Sequence, residues 1–81
     1  MIRIYKTEGG YMGIGPRIRK LRAIMDMTQA ELSLHTFIAS SAICRIERGD
    51  MPISENQLRA FEKAFGLSLG ELLQEEIEVK I

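Results

Sequence analysis

A helix start near the middle of the chain constrains the fold more than any other feature. Thr28 can accept a hydrogen bond from the Glu31 amide while the Glu31 carboxylate accepts one from the Thr28 amide, which is a capping box. Met27 and Leu32 occupy the two flanking positions whose apolar side chains pack together across such a start. The preceding helix must therefore end near Asp26, and the chain is expected to fold as short helices.

Four more helices are predicted from apolar spacing and cap residues. The first begins at Gly15-Pro16, because proline is favoured at the first helical position. Its apolar face is formed by Ile14, Ile18, Leu21 and Met25. The remaining boundaries are an end near Thr36 for the second helix, an end at Gly49 for the third, limits at Ser54 and Gly66 for the fourth, and a start at Ser68 for the fifth. The prediction is an all-α, five-helix bundle.

Both ends of the chain alternate apolar and polar residues, which is the period of a half-buried strand. Their apolar positions, which are candidates for dimer or partner contacts, are Ile2, Ile4, Ile77, Val79 and Ile81. An isolated two-stranded ribbon is marginal in water, so a second copy of the chain is expected to complete a sheet of short strands. Two alternatives stay open: both ends fray, or the first eleven residues precede an alternative start at Met12. The domains are then an arm (1–12), a helical domain (13–74) and a tail (75–81).

Charge is distributed unevenly, although 11 basic and 11 acidic side chains give a net charge of zero. Residues 13–49 contain six basic residues against three acidic ones, a net charge of +3. The compensating acidic side chains lie in the C-terminal part, at Glu71, Glu75, Glu76 and Glu78. A basic front and an acidic rear suit a domain that faces DNA.

The chain lacks the residues that most catalytic and metal sites need. Its one cysteine, Cys44, and its one histidine, His35, cannot form an intramolecular disulfide or a zinc site. We therefore expect no enzyme activity, no metal and no cofactor. No apolar run approaches the roughly 18 residues of a membrane span, and residues 1–15 lack the apolar region of a secretory signal, so a cytoplasmic location is expected.

Two short helices joined by a tight turn inside a bundle form a helix-turn-helix arrangement. Residues 14–73 resemble the phage-repressor/Cro helix-turn-helix family, also called the XRE family. The resemblance is carried by residues 17–22 (RIRKLR), 28–32 (TQAEL), 43–49 (ICRIERG) and 65–73 (FGLSLGELL). It implies a fold that binds DNA and a role in transcriptional regulation.

The resemblance also implies roles for individual residues. The third helix of the family lies in the major groove, which makes Ser40, Ser41 and Arg45 the candidates for base edges. Arg45 is the best reader, because a guanidinium can bond both O6 and N7 of guanine. The candidates for phosphate contacts are Thr28, Gln29, Arg48 and Arg17. Arg22 and Glu47 are expected to form a structural ion pair that holds the third helix on the bundle.

The sequence departs from the family pattern at three points. Phe37 occupies a turn position where the family usually has a left-handed glycine, a conformation that a bulky residue enters with strain. Ala39 replaces the usual serine or threonine cap of the third helix, and in one alternative Ser40 caps instead and shifts the helix start by one residue. Arg45 is the one long polar side chain among the base-edge candidates of the third helix. Strong discrimination between DNA sequences therefore needs recognition of DNA shape or two half-sites. Cys44 is interpreted as a small residue at the groove edge in preference to a redox switch.

The leading hypothesis is a homodimeric transcriptional regulator, expected to be a repressor, that binds a palindromic double-stranded DNA site. The alternative is a protein-interaction module on the same fold, such as an antitoxin that binds a toxin, with weak or secondary DNA binding. Zero net charge, few base readers and strand-like ends motivate the alternative. No membrane partner is expected.

Overall fold

A computed structural model of the chain describes residues 4–68 and residue 72. In that part of the chain a β-hairpin precedes four helices. The elements are β1 (Tyr5–Thr7), β2 (Gly10–Met12), α1 (Gly15–Ile24), α2 (Gln29–Thr36), α3 (Ser40–Arg48) and α4 (Glu55–Phe65). The predicted helical class is confirmed, with two short strands beside it. Within the described residues no helix has the length and apolar character needed to cross a membrane.

Hydrogen bonds within single turns fix the helix ends where the cap residues predicted them. The backbone N–H of Glu31 donates to Thr28 Oγ1 at 3.0 Å, and the Thr28 N–H donates to Glu31 Oε1 at 2.8 Å. Ser54 and Gln57 form the same reciprocal pair at the start of α4. At the end of α3, Gly49 adopts a left-handed φ of 82°, which glycine enters without steric cost. Short-range chemistry therefore sets the lengths of α2, α3 and α4.

The core is a cluster of buried apolar side chains to which every described helix contributes. Its members are Ile14, Ile18, Leu32, Ile38, Ile43, Ile46, Ile53, Leu58, Phe61, Phe65 and Leu72. α1 packs against α3, while α2 packs against both α3 and α4. Gly15 permits the close approach of α1 to α3, because a Cβ at this position would lie 2.0 Å from the Ile46 carbonyl oxygen. α3 is thus held between two helices.

The N-terminal strand has its partner within its own hairpin. Tyr5 lies opposite Met12 in an antiparallel register, closed by a short turn at Glu8-Gly9. The backbone of Tyr11 donates to the Ile53 carbonyl at 2.8 Å and accepts from the Ile53 N–H at 2.9 Å. The hairpin is therefore tied to the loop before α4. The sequence analysis did not predict this hairpin, and the expected sheet of both chain ends with a second copy involves residues 77–81, which lie outside the described residues.

Two further expectations differ from the structure. Met25, predicted on the apolar face of α1, follows the helix and is 43% exposed, because α1 ends at Ile24. The described residues contain four helices, where five were expected. Leu72 is buried, and its N–H donates to the Ser68 carbonyl at 3.0 Å. The rest of the predicted fifth helix, the domain boundary at residue 74 and the tail lie outside the described residues.

Candidate nucleic-acid interface

The connection between α2 and α3 is short and held by hydrogen bonds. Thr36 Oγ1 donates to the Leu32 carbonyl at 2.9 Å and accepts from the Ile38 N–H at 3.2 Å. Phe37 adopts φ 61° and ψ 22°, the left-handed conformation expected at this position. Ile38 is buried in the core, so the turn is anchored on both sides of Phe37. α2 and α3 therefore form a defined helix-turn-helix unit.

α3 begins at Ser40, with Ala39 as its N-cap residue and no side-chain cap bond. The alternative in which Ser40 caps the helix is not adopted, because the backbone of Ala39 already has the extended ψ of 140° that precedes a helix. Ser40, Ser41 and Arg45 are exposed. Ser41 and Arg45 are four residues apart and share one face of the helix. The predicted base-edge candidates thus lie together on the solvent side of α3.

Glu47 lies on the opposite, inner side of α3 and joins three helices. Arg22 Nε donates to Glu47 Oε2 at 2.8 Å, and Arg22 Nη2 donates to Glu47 Oε1 at 3.1 Å. Gln29 Nε2 donates to the same Oε1 at 3.0 Å. The remaining Arg22 nitrogen, Nη1, donates to the Met27 carbonyl at 2.8 Å. The network therefore connects α1, the loop after it, α2 and α3.

Burial makes the loss of one partner of this network costly. The Glu47 side chain is 3% exposed and the Arg22 side chain 18% exposed, so water screens the pair only weakly. The hydrogen bonds to Glu47 raise the pKa of Arg22 above its ordinary value, against the opposing effect of burial. Arg22 and Glu47 thus form the ion pair beneath α3 that the family resemblance implied. The bond from Gln29 to Glu47 was not anticipated, since no local pattern links residues 18 positions apart.

A basic cavity of about 210 Å³ opens beside this network. It is lined by Arg19, Arg22, Gln29, Cys44, Glu47 and Arg48. Arg19 was missed from the sequence, although it lies three residues before Arg22 and therefore on the same side of α1. The cavity lies at the first turn of α2, the positive end of that helix dipole. We call it the basic cavity below.

Two predicted phosphate candidates already have partners at this surface. Arg48 is exposed, and its Nε donates to Asp50 Oδ2 at 3.0 Å. This hydrogen bond raises the pKa of Arg48. Thr28 is exposed, but its hydroxyl and its N–H are both engaged in the capping box with Glu31. An anion at this surface would therefore compete with Asp50 for Arg48 and with the cap for Thr28.

Arg17 lies apart from the other candidates. It is 4% exposed and belongs, with Gly15 and Ile18, to the buried residues of α1. A buried guanidinium cannot reach a phosphate on the surface, and Arg17 is therefore left out of the candidate interface. Of the terminal apolar candidates, Ile4 packs against the core. The others, Ile2, Ile77, Val79 and Ile81, lie outside the described residues.

Comparisons with known proteins agree with this geometry. The chain matches a family model described as helix-turn-helix (HTH_3) over residues 18–72. The comparison with curated proteins gives no match. Among solved structures, the P22 c2 repressor in complex with the synthetic operator 9T is 30% identical, with 78% of this chain and 96% of that chain covered and a TM-score of 0.70.

SinR supplies two further similar structures. SinR in complex with DNA, named as the master regulator for biofilm formation, is 27% identical over 75% of this chain and 98% of that chain, with a TM-score of 0.70. The complex of SinR with the SinI protein contains a chain that is 28% identical over 82% of this chain and 65% of that chain, with a TM-score of 0.73. The family model spans well over half of the sequence, and the chain belongs to the XRE-type helix-turn-helix family.

Proposed function

We propose that the protein is a transcriptional repressor that binds a specific double-stranded DNA site as a homodimer, with α3 in the major groove. The observation that carries the proposal is the arrangement of α3. Its outer face carries Ser40, Ser41 and Arg45, while Glu47 on its inner side is bonded to α1 and α2. A reading helix held in this way keeps its exposed side chains in one register against the bases.

Arg45 is the residue assigned to sequence reading. Its guanidinium can bond O6 and N7 of guanine at once, and such a pair discriminates by about 1–3 kcal/mol against a wrong base. Ser40 and Ser41 precede it at the N-terminal end of α3, the end that contacts base edges in this family of folds. Their hydroxyls are short and serve a base or a nearby phosphate.

The basic cavity is assigned to the DNA backbone. Arg19, Gln29 and Arg48 line it at the positive end of α2, where an anion is favoured. Glu47 accepts a bond from one Gln29 hydrogen and so orients the amide, leaving its second N–H for a phosphate oxygen. Such contacts position the protein on the duplex without reading sequence.

Dimer formation would give two reading helices about 34 Å apart, one helical turn of DNA. Because each α3 carries only one long polar side chain for base contacts, Arg45, a second half-site increases the sequence specificity of the dimer. The terminal apolar residues supply the proposed dimer contacts. They are Ile2, Ile4, Ile77, Val79 and Ile81.

Selection of binding sites from a randomised duplex pool tests the proposal. We expect an inverted repeat with half-site centres about one helical turn apart. Arg45→Ala should lose selectivity at one position in each half-site, while Lys20→Ala, an exposed change on α1, should keep it. A folded protein that enriches no sequence would contradict the proposal.

A protein partner is the second candidate, favoured by one observation. Leu34 is 76% exposed and Phe37 is 95% exposed, which leaves two large apolar side chains on neighbouring turns of the surface. SinR, a structural neighbour, is named in a complex with the SinI protein. A salt titration separates the two candidates, because log K for DNA should fall with a slope of about −0.9 per phosphate contact against log salt. A module that binds only protein would show no duplex affinity to titrate.

A further inference from the structure

A groove lies between the helix-turn-helix turn and α4, away from the basic cavity. Its volume is about 600 Å³, in the range of roughly 300–1,000 Å³ typical of binding pockets. Phe37 and Ala60 form its apolar wall. Its charged lining residues are Arg59, Lys63 and Glu62, and His35 lines it as well. We call this feature the turn groove.

Phe37 is the feature of the turn groove that the fold does not require. Its ring is 95% exposed, so it contributes almost nothing to the core. Its backbone is left-handed at φ 61°, a conformation that a large side chain adopts with strain. Leu34, three residues earlier on α2, is also exposed. A strained and exposed aromatic side chain is a reason to look for a binding role.

The basic side chains of the turn groove are not engaged by the ion pairs found in the described residues. Those pairs are Lys6–Glu55, Arg22–Glu47 and Arg48–Asp50. Arg59 and Lys63 are exposed on α4, four residues apart and therefore on one face. Among the described residues that line the groove, Glu62 is the one acidic side chain. The turn groove thus suits an acidic segment with apolar side chains.

We propose that the turn groove receives residues 73–81 from a second copy of this chain. The inference rests on the homodimer of the proposed function. The segment contains three glutamates against one lysine, and large apolar residues alternate with them. These apolar residues are Leu73, Ile77, Val79 and Ile81. Charge and apolar character therefore match those of the groove.

Length and symmetry are compatible with an exchange between two copies. Nine residues follow the buried Leu72, and at about 3.3 Å per residue an extended segment reaches roughly 30 Å. This equals about the longest dimension of the structure, 31 Å. Each chain offers one groove and one segment, so mutual exchange gives two identical contacts and closes a two-fold pair. Because Phe37 lies two residues before the N-cap of α3, dimer formation would also brace the reading helix.

Cysteine cross-linking of the chain of residues 1–81 tests the exchange. In a Cys44→Ser background, Ala60→Cys in the groove is combined with Ile77→Cys in the segment. Ala23→Cys with Ile77→Cys is the matched control, since Ala23 is exposed on α1. We expect the first pair to form a disulfide-linked dimer at least about tenfold faster than the control, because docking raises the effective concentration of the two thiols.

A charge swap adds a second measurement that does not depend on the background rate. Arg59→Glu with Lys63→Glu should slow the cross-link, and adding Glu75→Lys with Glu76→Lys should restore it. Circular dichroism of each variant checks that the helices are retained. Failure of the second swap to restore the rate would overturn the inference.

Two other cross-linking results would contradict the exchange between copies. Cross-linking at the control rate would overturn the inference, as would a disulfide within one chain, which would mean that each chain occupies its own groove. Binding-site selection on the same proteins keeps the two proposals distinguishable. An inverted repeat without the cross-link would overturn only the exchange, and the cross-link without any enriched DNA would overturn only the proposed function.

Discussion

Replacing Phe37 with glycine is expected to make the fold more stable. The left-handed conformation costs a residue with a side chain about 1–2 kcal/mol. Because Phe37 is 95% exposed, its removal loses the burial of only about 10 Å² of apolar surface, which is worth about 0.3 kcal/mol. Glycine in turn lowers the free energy of unfolding by about 0.5–1 kcal/mol, because it gives the unfolded chain more conformational freedom. The net gain is about 0.5 kcal/mol, or about 2–4 °C in Tm for a domain of this size.

The comparison of glycine with alanine at this position is the sharper form of the test. Phe37→Gly should be more stable than Phe37→Ala by about 0.5–1 kcal/mol, because alanine keeps the left-handed cost. At Ala30, which is exposed in the first turn of α2, alanine should be the more stabilising residue, and Ala30→Gly should lower the free energy of unfolding by up to about 1 kcal/mol. Urea unfolding followed by circular dichroism, at protein concentrations low enough to keep the chain monomeric, measures all three. A Phe37→Gly variant less stable than Phe37→Ala would refute the reasoning.

Three more stability changes follow from named contacts. Glu47→Ala should lose about 3 kcal/mol in urea unfolding, because it leaves the Arg22 guanidinium without its partner; a loss under about 1 kcal/mol would mean that water screens the pair. Gly15→Ala should lose about 2–3 kcal/mol in the same measurement, since its Cβ would meet the Ile46 carbonyl oxygen at 2.0 Å, and an unchanged midpoint would contradict that packing. Thr28→Ala should lower Tm through the loss of about 1 kcal/mol of capping energy, and an unaltered thermal unfolding curve would show that the cap is dispensable.

Helix boundaries could be predicted from the sequence because their causes are local. The Thr28–Glu31 and Ser54–Gln57 pairs span only three residues, and the structure contains both. The left-handed turn at Phe37 was also predictable, but from the family resemblance rather than from the residue itself. A phenylalanine carries no local signal for positive φ.

Contacts between distant segments could not be predicted in the same way. The closing turn of the hairpin has a recognisable Gly-Gly signal, yet the bonds between Tyr11 and Ile53 join residues 42 positions apart. Arg17 shows the same limit within one helix. A position beside Ile18 is compatible with a surface or an inner orientation, and packing of the surrounding elements buries it.

The candidate site combines both kinds of information. The exposed face of α3 follows from helical spacing, because Ser41 and Arg45 share one side of a single helix, while the base-reading role proposed for it was implied by the family resemblance. Its support could be found only in part, because Glu47 accepts bonds from Arg22 on α1 and from Gln29 on α2 at the same time. Because Gln29 donates to this shared acceptor, it is both a proposed phosphate contact and a link to α3. Loss of Gln29 should therefore weaken DNA binding on all sequences and also loosen α3, two effects that an isolated surface contact would not combine.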